Sequence, residues 1–385
     1  MNRNGVQIMS DELRQKLLEA LLEQGFTLAN GQLVPPDSLY KDNIRQLYAY
    51  LRKERLQKAS SWVRSVENEM ITYFANGPEV DVERIYPVLE FVDTQFKAEL
   101  FRYASLLWSV PVSAGYGRRM RFLVFDKHNG KLIGLFALCD PVYNLRVRDQ
   151  WIGWGVREKN ERLYHVMDAY VLGAVPPYSY LLGGKLVALL ATSNEVREKF
   201  QERYARRMSV IKRVVRKPHL VLLTTTSALG RSSLYNRLCL NGRRVFISLG
   251  FTEGWGHFHF SDRIFEQVKA YLQEINDSVV KQYKYGGGPN WRFRVIKRCL
   301  IHLGLSPDLL HHGVRREVFV APLAANAREF LRGDEAEPVY FEAPKDWLFN
   351  YFKDRWLLPR AARDKRYLSF NRETIRLSRL LGKEG

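Results

Sequence analysis

The feature that most constrains this chain is a change of apolar period near Arg119. Upstream, apolar side chains recur three to four residues apart; downstream they fall into extended runs around a tight turn. Arg121-Phe122-Leu123-Val124-Phe125 leads into Asp126-Lys127-His128-Asn129-Gly130, and Lys131-Leu132-Ile133-Gly134-Leu135-Phe136-Ala137-Leu138 follows. Asn-Gly accepts the positive φ of a tight turn, so the two runs predict a β-hairpin. Further extended stretches are expected at 148–154 and 167–173. Past Pro176-Pro177 helical spacing returns at Leu181, Leu182, Leu186, Leu189 and Leu190. A second helix near 193–209, a buried strand at 220–226 and a short helix at 232–238 follow. Strands near 243–249 and 255–260 and a helix near 261–275 complete the segment. The fold class expected is α+β, a mixed sheet flanked by helices.

Residues 10–110 read mainly as helix, with Ser10 as an N-cap before Leu13, Leu17 and Leu21. Ile44, Leu47, Tyr48 and Leu51 repeat the stripe, as do Val63, Val66 and Met70, while Pro35-Pro36, Gly77-Pro78 and Pro87 break the region. Beyond Gly288 the pattern is helix, a short strand at Val318-Phe319-Val320, then more helix and a basic tail. Three regions are expected: a helical 1–110, an α+β core at 111–278, and a basic, mainly helical 279–385. No run nears the roughly 18 apolar residues of a membrane helix, and the first residues lack the apolar stretch of a signal peptide. Cys139, Cys239 and Cys299 form no CxxC pair and suit neither a zinc knuckle nor a disulfide framework. A reducing cytoplasm is expected.

The chain of 385 residues carries 60 Lys plus Arg against 41 Asp plus Glu, a net +19. Such charge invites a polyanion, but its distribution says more. Seven basic residues lie between Glu202 and Pro218, among them Arg206, Arg207, Lys212 and Arg213, and six between Lys281 and Arg298. The second cluster (Arg292, Arg294, Lys297 and Arg298 included) interleaves with Tyr283, Tyr285, Trp291 and Phe293. Cations for phosphates beside rings for bases suit a single-stranded contact, with DNA favoured. The alternative is a solvated helix face whose rings turn inward.

Absent motifs prune the field. Gly183-Gly184-Lys185 lacks the upstream spacing of a phosphate-binding P-loop, and Gly115-Tyr116-Gly117 lacks the third glycine of a dinucleotide fingerprint. There is no GxSxG elbow and no Asp/Glu-x-Lys nuclease pair. His257 and His259 would share a strand face, but no third metal ligand is identifiable.

The order that remains (hairpin, third and fourth strands, turn, Gly-Gly helix) resembles the large N-acetyltransferase superfamily that draws acyl groups from coenzyme A. Ser232-Ser233-Leu234-Tyr235 looks like its short helix with a tyrosine, and Leu249-Gly250-Phe251 like its Leu-Gly-Phe. The likeness covers about 116–260. It departs at Tyr180-x-x-Gly183-Gly184-Lys185, a reduced form of the family's loop, and at an insertion from Cys239 to Ser248. It implies acyl-CoA at Tyr180, Gly183, Gly184 and Lys185, with Tyr235 as a general acid and Asp168 as a base at the start of the fourth strand. A narrower resemblance covers more of the chain. Gly117-Arg118-Arg119-Met120-Arg121-Phe122-Leu123-Val124, Arg148-Asp149-Gln150-Trp151-Ile152-Gly153-Trp154 and Leu182-Gly183-Gly184-Lys185-Leu186-Val187-Ala188 look like the DruA family. These are bacterial proteins of the Druantia anti-phage defence systems and of some mobile elements. Membership implies antiviral defence beside other components, a large helicase-like protein among them, and no known reaction.

Other residues carry two readings each. Arg148 and Asp149 form either a structural pair capping a strand, or a phosphate clamp beside a proton acceptor. Tyr178 and Tyr180 either stack a base or cover the core. Gly183 and Gly184, each about 1 kcal/mol worse than alanine in a helix, imply close ligand approach or tight packing. Three functions follow: a defence component engaging nucleic acid, an acyl- or nucleotide-dependent transferase using the cleft at Gly183-Gly184, and a purely structural subunit.

Overall fold

The computed structural model describes residues 3–35, 41–110, 112–205, 217–281 and 290–381. Seven strands form one sheet: β1 (Pro87–Phe91), β2 (Arg119–Asp126), β3 (Lys131–Cys139), β4 (Val166–Ala174), β5 (Leu222–Thr226), β6 (Ile247–Phe251) and β7 (Glu317–Pro322). Their order across the sheet is β6-β7-β5-β4-β3-β2-β1. Every neighbouring pair is antiparallel except β4 and β5. The sheet therefore takes β1 from the stretch expected as helical and β7 from the basic C-terminal stretch.

The helices are α1 (Arg3–Glu23), α2 (Lys41–Lys58), α3 (Ser60–Met70), α4 (Gln95–Leu106), α5 (Arg146–Ile152), α6 (Val156–Arg162) and α7 (Gly183–Leu190). After them come α8 (Asn194–Tyr204), α9 (Ser233–Asn236), α10 (Asp262–Glu274), α11 (Trp291–His302), α12 (Ala327–Arg332), α13 (Lys345–Phe352) and α14 (Leu358–Arg363). Alternation along the strands feeds two faces. Phe136 and Leu138 of β3 join α7, α8 and α13 in one cluster; Leu135 and Ala137 join α3 and α4 in the other. A separate apolar cluster unites α1, α2, α10 and α11. No helix of the described residues is long and apolar enough to cross a membrane.

Several expectations change. The β2–β3 hairpin is present, but its loop is 127–130. Gly130 alone takes positive φ (71°), while the Asn129 side chain accepts the Lys131 N–H at 2.9 Å. The stretch expected as a third strand, 148–154, is helix α5 and its left-handed cap at Gly153. Arg148 explains the misreading. It is fully buried on that helix, donating from Nη1 to Val142 O (2.8 Å) and from Nη2 to Tyr143 O (2.9 Å). Ser10 lies inside α1 rather than capping it. Residues 255–260 form no strand, only an isolated bridge from Trp255 to His311.

Candidate functional site

The site begins where the one parallel pair parts. β4 and β5 stay in register over Val166–Leu222, Met167–Leu223 and Asp168–Thr224. β4 then bulges at Tyr170 to keep its pairing with β3, while β5 follows β7. Side chains close the fork. Thr224 Oγ1 donates to Asp168 Oδ1 at 2.6 Å, and Thr225 Oγ1 donates to Ala169 O at 2.8 Å. Burial at this depth pushes the Asp168 carboxyl up to about 6, against the lowering effects of the Thr224 bond and the Arg148 charge.

Two glycines bring a tyrosine to the same floor. Gly115 (φ 63°) and Gly117 (φ 64°) both need the left-handed region, and neither has room for a Cβ. At Gly115 it would fall 2.9 Å from the Tyr170 ring, and at Gly117 2.0 Å from the Asp140 carboxylate. Tyr116 between them has a buried hydroxyl without a partner among the described residues. Its phenol is raised by burial first and by the Asp168 charge second.

Tyr235 arrives on α9, whose N-cap Ser232 accepts the Tyr235 N–H at 3.3 Å. Glu317 of β7, itself buried, anchors that helix by accepting from Ser232 N (2.9 Å), Asn236 Nδ2 (3.0 Å) and Ser248 Oγ (2.8 Å). The Tyr235 ring packs on Phe246 and Phe319, and its hydroxyl meets Thr225. Burial, the largest effect, pushes its pKa up to about 12.

Over this floor lies a cavity of about 1300 Å³, between the sheet and the helical cluster of α2, α10 and α11. Among the described residues its cations are Lys41, Arg55, Arg231, Arg292, Arg294 and Arg316, and its carboxylates are Glu54, Asp168 and Asp262. Arg316 lies over the Phe258 ring and bonds the Tyr48 hydroxyl. Arg292 is committed to Asp262 and, at 2.6 Å, to Phe260 O. The wall histidines contribute no charge at neutral pH. Burial and the nearby Arg292 push His257 down to about 4, and burial first, then neighbouring charges, lowers His312. Among the described residues no group of three metal-ligating side chains occurs.

Asp168, Tyr235, Arg292 and Arg294 thus meet in one cavity. Other candidates lie elsewhere. Asp149 is engaged on both oxygens, by Arg148 (Nη2, 2.6 Å) and by Lys159 (3.1 Å), beside a smaller hollow of about 400 Å³. Tyr180, Gly183, Gly184 and Lys185 sit outside the cavity, against the C-terminal helices. Arg360 Nε donates to Tyr180 O at 3.0 Å, and Lys185 Nζ lies 5.0 Å from the Trp356 ring centre. The α7 N-terminus is also used internally, Gly183 N donating to Tyr178 O and Lys185 N to Leu182 O. A Cβ at Gly183 would stand 2.7 Å from Tyr178 O, which accounts for that glycine by packing.

Lys297 and Arg298 occupy the exposed side of α11, where Arg298 pairs with Asp277 at 2.8 Å. Arg206, Arg207, Lys212, Arg213, Tyr283 and Tyr285 lie outside the described residues. Sequence reasoning missed Tyr116, Thr224, Arg55, Arg231 and Arg316 as site residues. The one signal available was Gly-Tyr-Gly at 115–117, where two glycines force a ring into a fixed place.

Fold and site together define a mixed α/β protein with a cationic, ring-lined cleft at the fork of its sheet. The chain belongs to the DruA family: the family model described as Druantia protein DruA matches residues 38–333. A relative named "Druantia protein DruA", from Escherichia coli (strain UMEA 4076-1), is 42% identical over 365 residues. That alignment covers 94% of this chain and 90% of the relative. No solved structure matches it. Membership is consistent with a component of a Druantia anti-phage defence system.

Proposed function

We propose that this protein works in the cytoplasm, beside other subunits of its defence system, by holding single-stranded DNA in the cleft at the fork of β4 and β5. The observation that carries the reading is the cavity lining. Among the described residues, six cationic side chains against three carboxylates line a volume also lined by Trp108, Tyr170, Trp255 and Phe293. Arginines neutralise phosphates while rings stack bases of any sequence. The test is fluorescence anisotropy of a labelled single-stranded 12-mer at about 50 and 200 mM salt. Binding that weakens steeply between the two supports the reading; no binding at the lower salt overturns it.

A second reading treats the core as acetyltransferase-like and the protein as an acyl-CoA-dependent transferase. It is favoured by the strand order, by the single parallel pair that parts, and by a carboxyl raised to about 6 at the parting point. A carboxyl poised there suits a general base. Retention of acyl-CoA through purification, read by native mass spectrometry, would support this reading; its absence after loading with acetyl-CoA would remove it.

A further inference from the structure

A second cationic surface begins at the far end of α9. Arg231 precedes that helix and lines the cavity; Arg237 follows it and is exposed. The four residues of α9 between them span about 6 Å, at about 1.5 Å each. Lys185 joins Arg237 there, its Nζ donating to Arg237 O at 3.4 Å. The chain then makes a two-stranded ribbon, Cys239–Leu240 paired with Arg243–Arg244, around an Asn241-Gly242 turn. Both turn residues take positive φ (46° and 80°), as a tight hairpin requires, and no atom lies within 4 Å of where a Gly242 Cβ would stand. Arg243 and Arg244 at this open tip are exposed. Arg355, in the turn between α13 and α14, completes the group beside Trp356, whose ring centre is 5.0 Å from Lys185 Nζ.

None of these five cations has an ion pair among the described residues, and Asp354, the acid next to Arg355 in the chain, pairs with none of them. Burial first, then the Arg237 and Arg355 charges, hold the Lys185 ammonium below the usual lysine range. Like charges gathered without a counterion repel, and an anionic ligand relieves that repulsion. The surface offers charge rather than stacking. Trp356 packs on Tyr351 (5.7 Å) and Phe352 (6.2 Å), and the Phe341 ring already carries Arg243 at 3.7 Å. In the cavity, by contrast, rings stand among the cations. Unpaired bases need such rings; a duplex has its bases stacked internally and shows the outside one phosphate per about 1.7 Å of axis.

We propose that the face built from Lys185, Arg237, Arg355 and the Arg243-Arg244 ribbon grips the backbone of duplex DNA continuous with the strand in the cleft. The ligand of the whole protein is then a junction between single strand and duplex. This inference rests on the single-stranded reading of the cleft. A strand leaving the cavity past Arg231 reaches Arg237 within about two base steps of about 3.4 Å each. Arginine forks engage phosphates bidentately and carry no base preference, so the junction is recognised by shape rather than sequence.

The test uses the full-length protein and three labelled probes: a single-stranded 12-mer, a hairpin duplex carrying that 12-mer as a tail, and the untailed hairpin. The tailed duplex is expected to bind roughly tenfold tighter than the 12-mer, since one charge-assisted hydrogen bond suffices for that gain. Arg237→Ala with Arg244→Ala and Arg355→Ala changes three exposed positions. It should bring the tailed duplex to the affinity of the 12-mer and flatten its salt slope by up to about 2.7, at about 0.9 per phosphate. Affinity for the 12-mer should change by no more than about twofold, which separates a local contact from a weaker general field. A tailed duplex bound no tighter than the 12-mer, or a triple variant that keeps the wild-type ratio, overturns the proposal and leaves the single-strand reading intact. Equal weakening on both probes does the same, because it assigns the loss to net charge. An untailed hairpin bound as tightly as the tailed one overturns the junction. Failure of the 12-mer to bind removes the single-strand reading and the junction with it.

Discussion

Burial lifts the Asp168 carboxyl to about 6 from an ordinary 3.8, so at neutral pH the fold holds an anion that its surroundings oppose. The folded state binds this proton more tightly than the unfolded chain does. The group therefore weakens stability as pH rises from about 4 to about 6, and the full penalty stands above that window. Its neighbours at neutral pH are the Arg148 guanidinium, which favours the anion, and three groups that burial keeps neutral: Tyr116, Tyr235 and Cys139. Asp168→Asn keeps an acceptor for the Thr224 hydroxyl and removes the charge. It should stabilise the protein at pH 7, by up to about 3 kcal/mol for a two-unit shift. The gain should shrink to nothing near pH 4. Thermal unfolding of both proteins across that range checks it, and a variant no more stable than wild type at pH 7 would show that the carboxyl is not under strain. A cavity-lining position where a neutral side chain fits better than the native one is held for something other than stability.

At the scale of elements, α7 shows what its paired glycines do. Gly183 has no space for a Cβ, since Tyr178 O would lie at 2.7 Å and Ala174 Cβ at 3.0 Å, both on backbone-fixed neighbours. Gly184 would meet only Leu234 Cδ1 at 2.9 Å, the far end of a flexible side chain. Gly183→Ala should therefore cost about 1–3 kcal/mol through overpacking. Gly184→Ala should be nearly neutral, because a helix propensity gain of about 1 kcal/mol offsets the shift of Leu234. Urea denaturation separates them, and equal costs would refute the packing account. The sequence made α7 legible because a Leu-rich run after Pro-Pro has one reading; it left open whether the glycines served a ligand or a neighbour. The β2–β3 hairpin was legible for the same reason, its alternation being long enough to exclude helix. Residues 148–154 were not, because a short run with Trp151, Ile152 and Trp154 suits either element, and because Arg148 is turned inward to cap carbonyls. β1 was hidden by its opening Pro87, which suits an edge strand as well as it breaks a helix. The cleft itself was legible only in fragments. Asp168, Tyr235, Arg292 and Arg294 stood out singly, but nothing local says that Tyr116 or Arg316 will join them from 52 residues before and 148 after Asp168.

For the whole molecule, the net charge of +19 governs long-range attraction, whereas the salt dependence of binding counts the phosphates actually met. These can be separated because Arg294, Lys297 and Arg298 share one exposed face of α11, yet Arg294 alone of the three lines the cavity. Arg231, from the loop before α9, lines it too, and Arg298 is held by Asp277. Arg292 is a poor probe, since it is already paired with Asp262 and its loss also takes the donor from Phe260 O. Each phosphate neutralised on a single strand contributes about −0.7 to the slope of log K against log salt. If DNA runs through the cavity, Arg231→Ala with Arg294→Ala should flatten the slope by about 1.4. Lys297→Ala with Arg298→Ala removes the same charge from the molecule and should leave the slope unchanged, shifting only the association rate through the weaker distant field. Titrations of a labelled single-stranded 12-mer at four salt concentrations give both slopes. Equal flattening by the two pairs would mean that the nucleic acid tracks the outer face of α11. No flattening by either would leave the cavity cations to another anionic ligand, so the slope difference decides whether the path of the strand passes Asp168.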